Sequence, residues 1–398
     1  MLMLIPTEAW EYNFEDLILG LSTVLSLRNS KKTLHIRDIG DCIPARSART
    51  AIIIAIKALN LPTGARIGVP LYCCPVVFKT IKAANCVPRF IDSESTSFCI
   101  SAEDLSAKSM KLDALIAVHM FGNGCNMPGL LEVMKGKPVI EDCAQSLGSY
   151  IEGGMAGSFG TIGVFSFRLG KYLSAGEGGA LFSKEADLYL RMAKLASALP
   201  PVTPREEFKH VLENFVRAKL RSEPLWGIAG RSIWRFYNKS IDFVEKSPIF
   251  ESQIFKSDLA VVRKRMVLLS SMIRAQRANA EYYLRNLHLD PNLLYLERSG
   301  TIYNRFMFPI TFRSKEDRDQ IAVYLQRQQI SSSKPYEEVI ERAAKYYGYE
   351  GDCPTAEQLL RKTLVIPCHY KLKKGEIDLI AQCVNAGWAK ITSQYRRD

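Results

Sequence analysis

From Ser47 to Ala198, apolar runs of strand length alternate with stretches of helical periodicity, and that alternation limits the architectures open to the chain. Ser47 to Leu59 has the pattern of a largely buried helix, closed by the turn chemistry of Asn60-Leu-Pro-Thr-Gly64. Arg66–Val69, Val87–Ile91, Asp113–His119, Lys137–Asp142, Gly163–Phe167 and Ala180–Phe182 then read as strands. Helices over Pro75–Ala84, Met127–Lys135 and Ala186–Ala198 are expected between and after them. Parallel strands need such crossovers, so the pattern predicts an α/β fold with a mainly parallel sheet covered by helices on both faces.

One stretch inside the alternation concentrates the chemistry. Lys137 to Gly179 reads KPVIEDCAQSLGSYIEGGMAGSFGTIGVFSFRLGKYLSAGEGG. Its first residues form a buried-strand pattern that puts Glu141 and Asp142 at the carboxyl end, where open α/β sheets expose their ligand sites. The second apolar run, Gly163–Phe167, ends in a turn that carries Lys171 and runs into Ala175-Gly-Glu-Gly-Gly179. An ionised strand-end acid can hold a pyridinium nitrogen protonated. An amine in a turn with small neighbours can form a Schiff base. Together these are the two roles that a pyridoxal phosphate enzyme requires.

At 398 residues, with 47% hydrophobic and 24% charged content, the chain has room for two domains and a large core, and is neither disordered nor fibrous. Its best apolar run, Ala51–Ile56, is stopped by Lys57, well short of the roughly 18 residues that span a bilayer. The start, MLMLIPTEAWEYNFED, lacks the basic residues of a secretory signal, so a cytoplasmic location is expected. Ten cysteines without C-x-x-C spacing predict reduced, buried thiols rather than disulfides or zinc. Five scattered histidines give no metal centre; His119 falls at a strand end in the motif-rich half. The net charge of +12 is concentrated, with 15 Lys/Arg against 8 Asp/Glu between Arg205 and Arg277. That stretch is either a solvated helical face or a site for an anionic substrate, phosphate or lipid headgroups, and no nucleic-acid partner is expected.

After Leu199-Pro-Pro-Val-Thr-Pro204 the texture turns helical, over Arg205–Leu220, Leu225–Tyr237 and one long helix from Asp258 to Leu287. A strand over Asn304–Phe312, a helix over Glu316–Gln328, a strand over Thr363–Ile366 and a helix over Lys374–Ala386 then suggest an α+β unit. The expected division is a large domain over 1–252, carrying a basic helical insertion over 205–250, and a small C-terminal domain over 253–398. In the insertion, Arg217, Lys219, Arg221, Arg231 and Arg235 lie among Leu220, Leu225, Trp226, Ile233 and Trp234. Such an amphipathic pair either packs on the protein itself, which is the expectation, or makes a peripheral membrane contact.

Six short motifs in this order resemble the DegT/StrS family of fold type I pyridoxal phosphate aminotransferases, which act mostly on keto groups of nucleotide-linked sugars. They are Val69-Pro-Leu-Tyr72, Val118-His-Met-Phe-Gly122, Glu141-Asp-Cys-Ala-Gln145, Gly157-Ser-Phe-Gly160, Phe165-Ser-Phe167 and Gly176-Glu-Gly-Gly179 around Lys171. The similarity covers roughly 44–198 and 253–390. It implies a large domain with a seven-stranded, mainly parallel sheet, a small α+β domain, and pyridoxal 5'-phosphate as cofactor. Lys171 would carry the cofactor as a Schiff base and then serve as the base, Asp142 would pair with the pyridine nitrogen, and Gln145 would bond the ring hydroxyl. Ala48, Arg49 and Ser166 would meet the phosphate, at a helix start that offers free backbone amides. An amino donor such as glutamate, a keto acceptor and a homodimer with a shared active site are also implied.

Some positions depart from the family pattern. Cys74 stands where the family stacks an aromatic residue on the ring, which leaves Tyr72, His119 or nothing for that role. Gln253-Ile-Phe255 aligns with the partner-subunit Asn-Tyr-Arg of the family, so Gln253 could still donate to the neighbouring phosphate while the arginine is lost. Arg49 either adds charge to the phosphate or points to solvent. These changes keep two rival readings open: a cofactor enzyme of the same fold with other chemistry on a non-sugar substrate, or a non-catalytic binding protein. The retained Lys171 and Asp142 favour amino transfer.

Overall fold

The computed structural model describes residues 4–25, 33–221, 245, 249 and 251–395. Leu225–Tyr237, with Trp226, Arg231, Ile233, Trp234 and Arg235, lies outside the described residues. In chain order the strands of the first half are β1 (Leu34–Ile36), β2 (Gly40–Ala45), β3 (Arg66–Pro70), β4 (Val87–Ile91), β5 (Ala114–Val118) and β6 (Val139–Asp142). They are followed by β7 (Tyr150–Ile151), β8 (Gly154–Met155), β9 (Ile162–Ser166) and β10 (Gly179–Phe182). The first helices are α1 (Phe14–Leu25), α2 (Ala48–Ala58) and α3 (Val76–Ala83).

The central sheet has the order β1-β2-β10-β9-β6-β5-β3-β4. Pairing is parallel from β9 through β6, β5 and β3 to β4, and antiparallel among β1, β2, β10 and β9. It therefore has eight strands rather than the expected seven. The short hairpin of β1 on β2 adds an edge strand whose three residues are too few to register as a periodic run.

Both faces are covered, and β5 shows how. Ala114, Ile116 and Val118 belong to one apolar cluster, with Ile54 of α2, Phe78 of α3, Leu188 and Met192. Leu115 and Ala117 belong to the other, with Leu105, Leu130 and Met134. Side chains that alternate across a strand so line two separate cores. The direction of winding reverses at β3, which lies between β4 and β5, so the crevice where such sheets bind ligands opens at the carboxyl ends of β3 and β5, with β6 next to β5.

The single helix expected over Asp258–Leu287 is two helices, Lys256–Met266 and Leu269–Asn286. At the break Leu268 N donates to Arg265 O at 2.9 Å, a tightened turn that ends the first helix. The break lets Val261 and Val262 bury in the large sheet's core while Ala280 and Tyr283 bury in the C-terminal core. The strand expected over Asn304–Phe312 shrinks to Phe308–Thr311, paired antiparallel with Thr363–Ile366, because Arg305 takes the left-handed conformation (φ 56°) and interrupts extended geometry. No helix among the described residues is long and apolar enough to cross a membrane.

Candidate active site

The alternation along β6 sends Glu141 and Asp142 to opposite faces. Glu141 is fully buried and its oxygens are taken: Oε2 accepts from His119 Nε2 (2.9 Å) and Gly157 N (2.9 Å), Oε1 from Phe159 N (2.7 Å) and Gly160 N (2.6 Å). His119 Nδ1 accepts from Cys125 N at 3.0 Å, which puts the imidazole proton on Nε2, facing Glu141. Burial opposes the Glu141 charge, but the His119 hydrogen bond and the Gly160 and Gly157 donors bring its pKa below the usual value. His119, Glu141 and Cys143 lie close enough for a metal triad, but the imidazole nitrogens and the carboxylate already have partners, so the group serves the fold.

Asp142 is buried at 6% exposure with one filled bond, Ala144 N to Oδ1 at 3.0 Å; Oδ2 has no hydrogen-bond partner among the described residues. Desolvation raises its pKa, against the pull of the Ala144 amide and the Lys171 charge. Lys171 sits in the turn after β9, its backbone N–H closing on Arg168 O at 3.0 Å. Its amine lies 4.4 Å from the Phe306 ring centroid, with no hydrogen bond or ion pair among the described residues. Burial and the Arg168 charge lower its pKa to about 8, while Glu8, Asp142 and Cys74 act in the opposite direction. An acid with a free oxygen and an amine with a weakened hold on its proton thus share one space with Cys74.

Gln145, one turn beyond Asp142, donates from Nε2 to Tyr336 Oη (3.0 Å) and accepts at Oε1 from Phe121 N (3.0 Å). Tyr72 is fully buried among Phe98, Phe121 and Tyr336, with centroids 5.4, 5.9 and 6.1 Å away. His119 has both nitrogens engaged, which leaves only its ring face to a ligand.

At the other end, Ser47 caps α2, its hydroxyl accepting from Thr50 N at 3.2 Å. The N–H groups of Ala48 and Arg49, first in the helix, have no intrahelical acceptor. Gly179 joins this end to β9: it pairs with Ser166, and a Cβ on it would lie 2.6 Å from Ala48 N and 2.8 Å from Phe165 O, a close approach only glycine permits. Ser166 in turn lies two residues beyond Val164, the partner of Asp142. Ala48, Arg49, Ser166, Asp142, Gln145, Cys74 and Lys171 thus gather along neighbouring strand ends. Gln253 is placed differently: its Nε2 donates to Ser197 O (3.1 Å) and Leu199 O (3.0 Å).

Sequence reasoning missed Tyr336, Phe306 and the N-terminal arm. The arm is tied down where Ile5 exchanges hydrogen bonds with Gln329 and Ser331 and where His369 meets Pro6 O at 3.2 Å. Glu8 and Thr7 then line a cavity of about 20 Å³ beside Lys171, with Gly170, Phe306, His369 and Tyr370. The one signal that could have found the arm is Trp10, an aromatic beside acidic residues, which is buried.

The fold and the acid–lysine pair define the class, and comparison with known proteins agrees. The chain belongs to the DegT/DnrJ/EryC1/StrS aminotransferase family, whose model matches residues 35–385, and is thus an enzyme of the aminotransferase class. It is 33% identical over 157 residues to L-glutamine:2-deoxy-scyllo-inosose aminotransferase of Streptomyces fradiae, a match covering 39% of this chain and 37% of that relative. It is 25% identical over 345 residues to UDP-N-acetyl-3-dehydro-alpha-D-glucosamine 3-aminotransferase of Acidithiobacillus ferrooxidans, covering 85% and 82%. The solved aminotransferase TlmJ of Streptoalloteichus hindustanus superposes with a TM-score of 0.77 at 19% identity, over 98% of this chain and 100% of that one.

Proposed function

We propose that the protein is a pyridoxal 5'-phosphate-dependent aminotransferase that moves an amino group from an amino acid, glutamate foremost, to the keto carbon of a nucleotide-linked sugar. The observation that carries this reading is the pairing of a Lys171 amine that has no hydrogen bond or ion pair among the described residues with a buried Asp142 carboxylate whose Oδ2 accepts no hydrogen bond from them. The residues fit the cofactor at both ends. The Ala48 and Arg49 amides and Ser166 suit a phosphate, and Asp142 Oδ2 suits a protonated ring nitrogen, whose charge would restore the ionised carboxylate that burial disfavours. Gln145 suits the ring hydroxyl, and Cys74, a thiol, offers no aromatic face to the ring.

When bound, the cofactor supplies an aldehyde that captures amines and a ring that takes up the electron pair left at the substrate's α-carbon. The chain supplies the rest. Lys171 Nζ, whose pKa burial and the Arg168 charge lower to about 8, is the amine that would hold the cofactor. Once released, that amine would serve as the base that moves the substrate's α-proton. Asp142 would hold the proton of the ring nitrogen, and Glu141 with His119 fixes the end of β6. We further propose that a second copy of the chain completes the site, though not through the Gln253 amide, which donates to Ser197 O and Leu199 O of its own chain, and that the enzyme works in the cytoplasm, where its ten unpaired cysteines stay reduced. The test is direct: cofactor-loaded protein is yellow and bleaches on addition of glutamate, and borohydride reduction before that addition fixes the label on the Lys171 peptide. Label on another lysine overturns the assignment.

A further inference from the structure

The turn that carries Lys171 is an excursion out of a hairpin. β9 and β10 pair as far as Ser166 and Gly179, and the hairpin continues through Phe167 N to Gly178 O (2.9 Å), Ala175 N to Phe167 O (2.9 Å) and Leu169 N to Gly176 O (3.1 Å). Residues 170–175 lie beyond that last bond, so the closure of Leu169 on Gly176 is the base from which Lys171 projects. On the returning side Gly176 has φ +122° and Gly178 φ +102°. Two glycines in that region leave Glu177 between them free to swing unless it is tied from outside.

The tie comes from two helices distant in sequence. Asp258, fully buried in the helix Lys256–Met266, accepts from Glu177 N at 3.1 Å. His210, buried in the helix Pro204–Leu220, places Nε2 2.8 and 2.9 Å from the two Asp258 oxygens, and the Asn214 amide lies 2.8 Å from that nitrogen. Phe255 stacks on the imidazole with centroids 3.7 Å apart. A Cβ on Gly176 would lie 2.0 Å from Asn214 Nδ2 and 2.9 Å from Asp258 Oδ1, so the same group packs against the turn that it holds. The Glu177 side chain is held separately, by Arg46 Nε at 2.8 Å. Burial raises the Asp258 pKa against the His210 and Glu177 hydrogen bonds. A buried acid–imidazole pair adds little net stability, because desolvation offsets its attraction. What this pair does supply is direction, since it fixes one backbone amide at the base of the Lys171 turn.

We infer that Asp258, oriented by His210 and Asn214, is a positioning residue for amino transfer: through Glu177 N it fixes the base of the turn and with it the place of Lys171 Nζ. That Lys171 is the reacting amine rests on the function proposed above; the tie between Asp258 and the turn does not.

Hydrogen exchange and lysine acylation in the cofactor-free protein test this without turnover. In Asp258→Ala, the amides of the 168–178 peptide are expected to exchange about tenfold faster than in wild type, while those of β5 keep their wild-type rates. Competitive acylation of Lys171 with acetic anhydride is expected to titrate at about pH 8 in wild type, and to move toward about 10.4 in the variant as the loosened turn lets the amine reach water. Asp258→Asn, whose side-chain oxygen can still accept from Glu177 N, is expected to restore both readouts. Asp258→Leu fills the space that alanine would empty and takes its place if alanine unfolds. In the loaded enzyme the alanine or leucine variant is expected to lose about tenfold in kcat with the donor KM held within about twofold. Wild-type exchange and acylation in that variant overturn the inference. Equal acceleration in β5 overturns it too, because Asp258 would then serve the whole fold, and so does failure of Asp258→Asn to restore either readout. Bleaching of the wild type by glutamate is read in parallel: its failure beside an Asp258-dependent acylation midpoint removes the aminotransferase reading and leaves the tie to Lys171 standing.

Discussion

Glu141 and Asp142 are neighbours on one strand, and the two faces onto which they open are organised in opposite ways. On the Glu141 face four donors, one imidazole and three backbone amides, satisfy both oxygens, and the carboxyl's pKa falls. On the Asp142 face a single amide donates, one oxygen is left over, and the pKa rises. The same functional group is a structural pin on one side of the sheet and a poised charge acceptor on the other. A buried acid with a single donor among the described residues is unfavourable in itself, so its retention near a lysine that has no hydrogen bond or ion pair among them points to a ligand that supplies what the chain withholds.

Replacing Lys171 should break the comparison most completely. Lys171→Ala should lower kcat by about 10⁴ or more, since it removes both the attachment point and the base, while thermal melts stay close to wild type. Residual turnover within tenfold of wild type would place the chemistry elsewhere. Asp142→Asn follows: with no full charge facing the ring nitrogen, kcat should drop by about 10²–10³, on the order of 3–4 kcal/mol, with cofactor still bound by absorbance. Near-normal kcat would return Asp142 to the status of a turn residue.

Glu141→Gln tests the opposite face and should show the reverse phenotype. The amide keeps the shape but loses the charge that four donors share, so stability should fall by about 2–3 kcal/mol in denaturant melts. Because the folded-state pKa is lowered, the advantage of wild type is fully present above about pH 4.3 and is lost as the pH falls through the folded value. A variant with wild-type stability but lost turnover would mean that the two acids had been assigned to the wrong faces.

Much of this contrast was legible in the sequence. The strand pattern ending at Asp142 and the turn carrying Lys171 were both visible because local periodicity and turn chemistry mark them. Only the motif resemblance told Asp142 from Glu141; the pinned state of Glu141 was not legible, because three of its four donors are backbone groups 16 to 19 residues away that only the fold brings round. Tyr336 reaches Gln145 across 191 residues, and no short-range signal can announce that. The helix break at Val267–Leu268 also escaped, since no proline or glycine marks it and two separate cores decide it. The edge strand β1 was missed for its shortness.

The smallest expected effect reads the Asp142 face through its lysine in the cofactor-free protein. Folded Lys171 releases its proton at about pH 8, the unfolded side chain at about 10.4. Between those values the unfolded chain binds more protons than the folded one, so this group makes stability rise with pH across that window. Below about pH 8 both states are charged and the folded protein carries the full penalty of the buried ammonium; above about 10.4 both are neutral and the penalty is gone. Tyrosines and cysteines titrate in the same range, so the quantity to measure is the difference between wild type and Lys171→Met at each pH, in which they cancel. That difference should climb by on the order of 2 kcal/mol in favour of wild type between about pH 8 and 10.4. Adding the cofactor should flatten it, because a lysine held in a Schiff base no longer titrates as a free amine. A flat difference without cofactor would mean that the amine is well solvated, and that the poise ascribed to this face belongs to Asp142 alone.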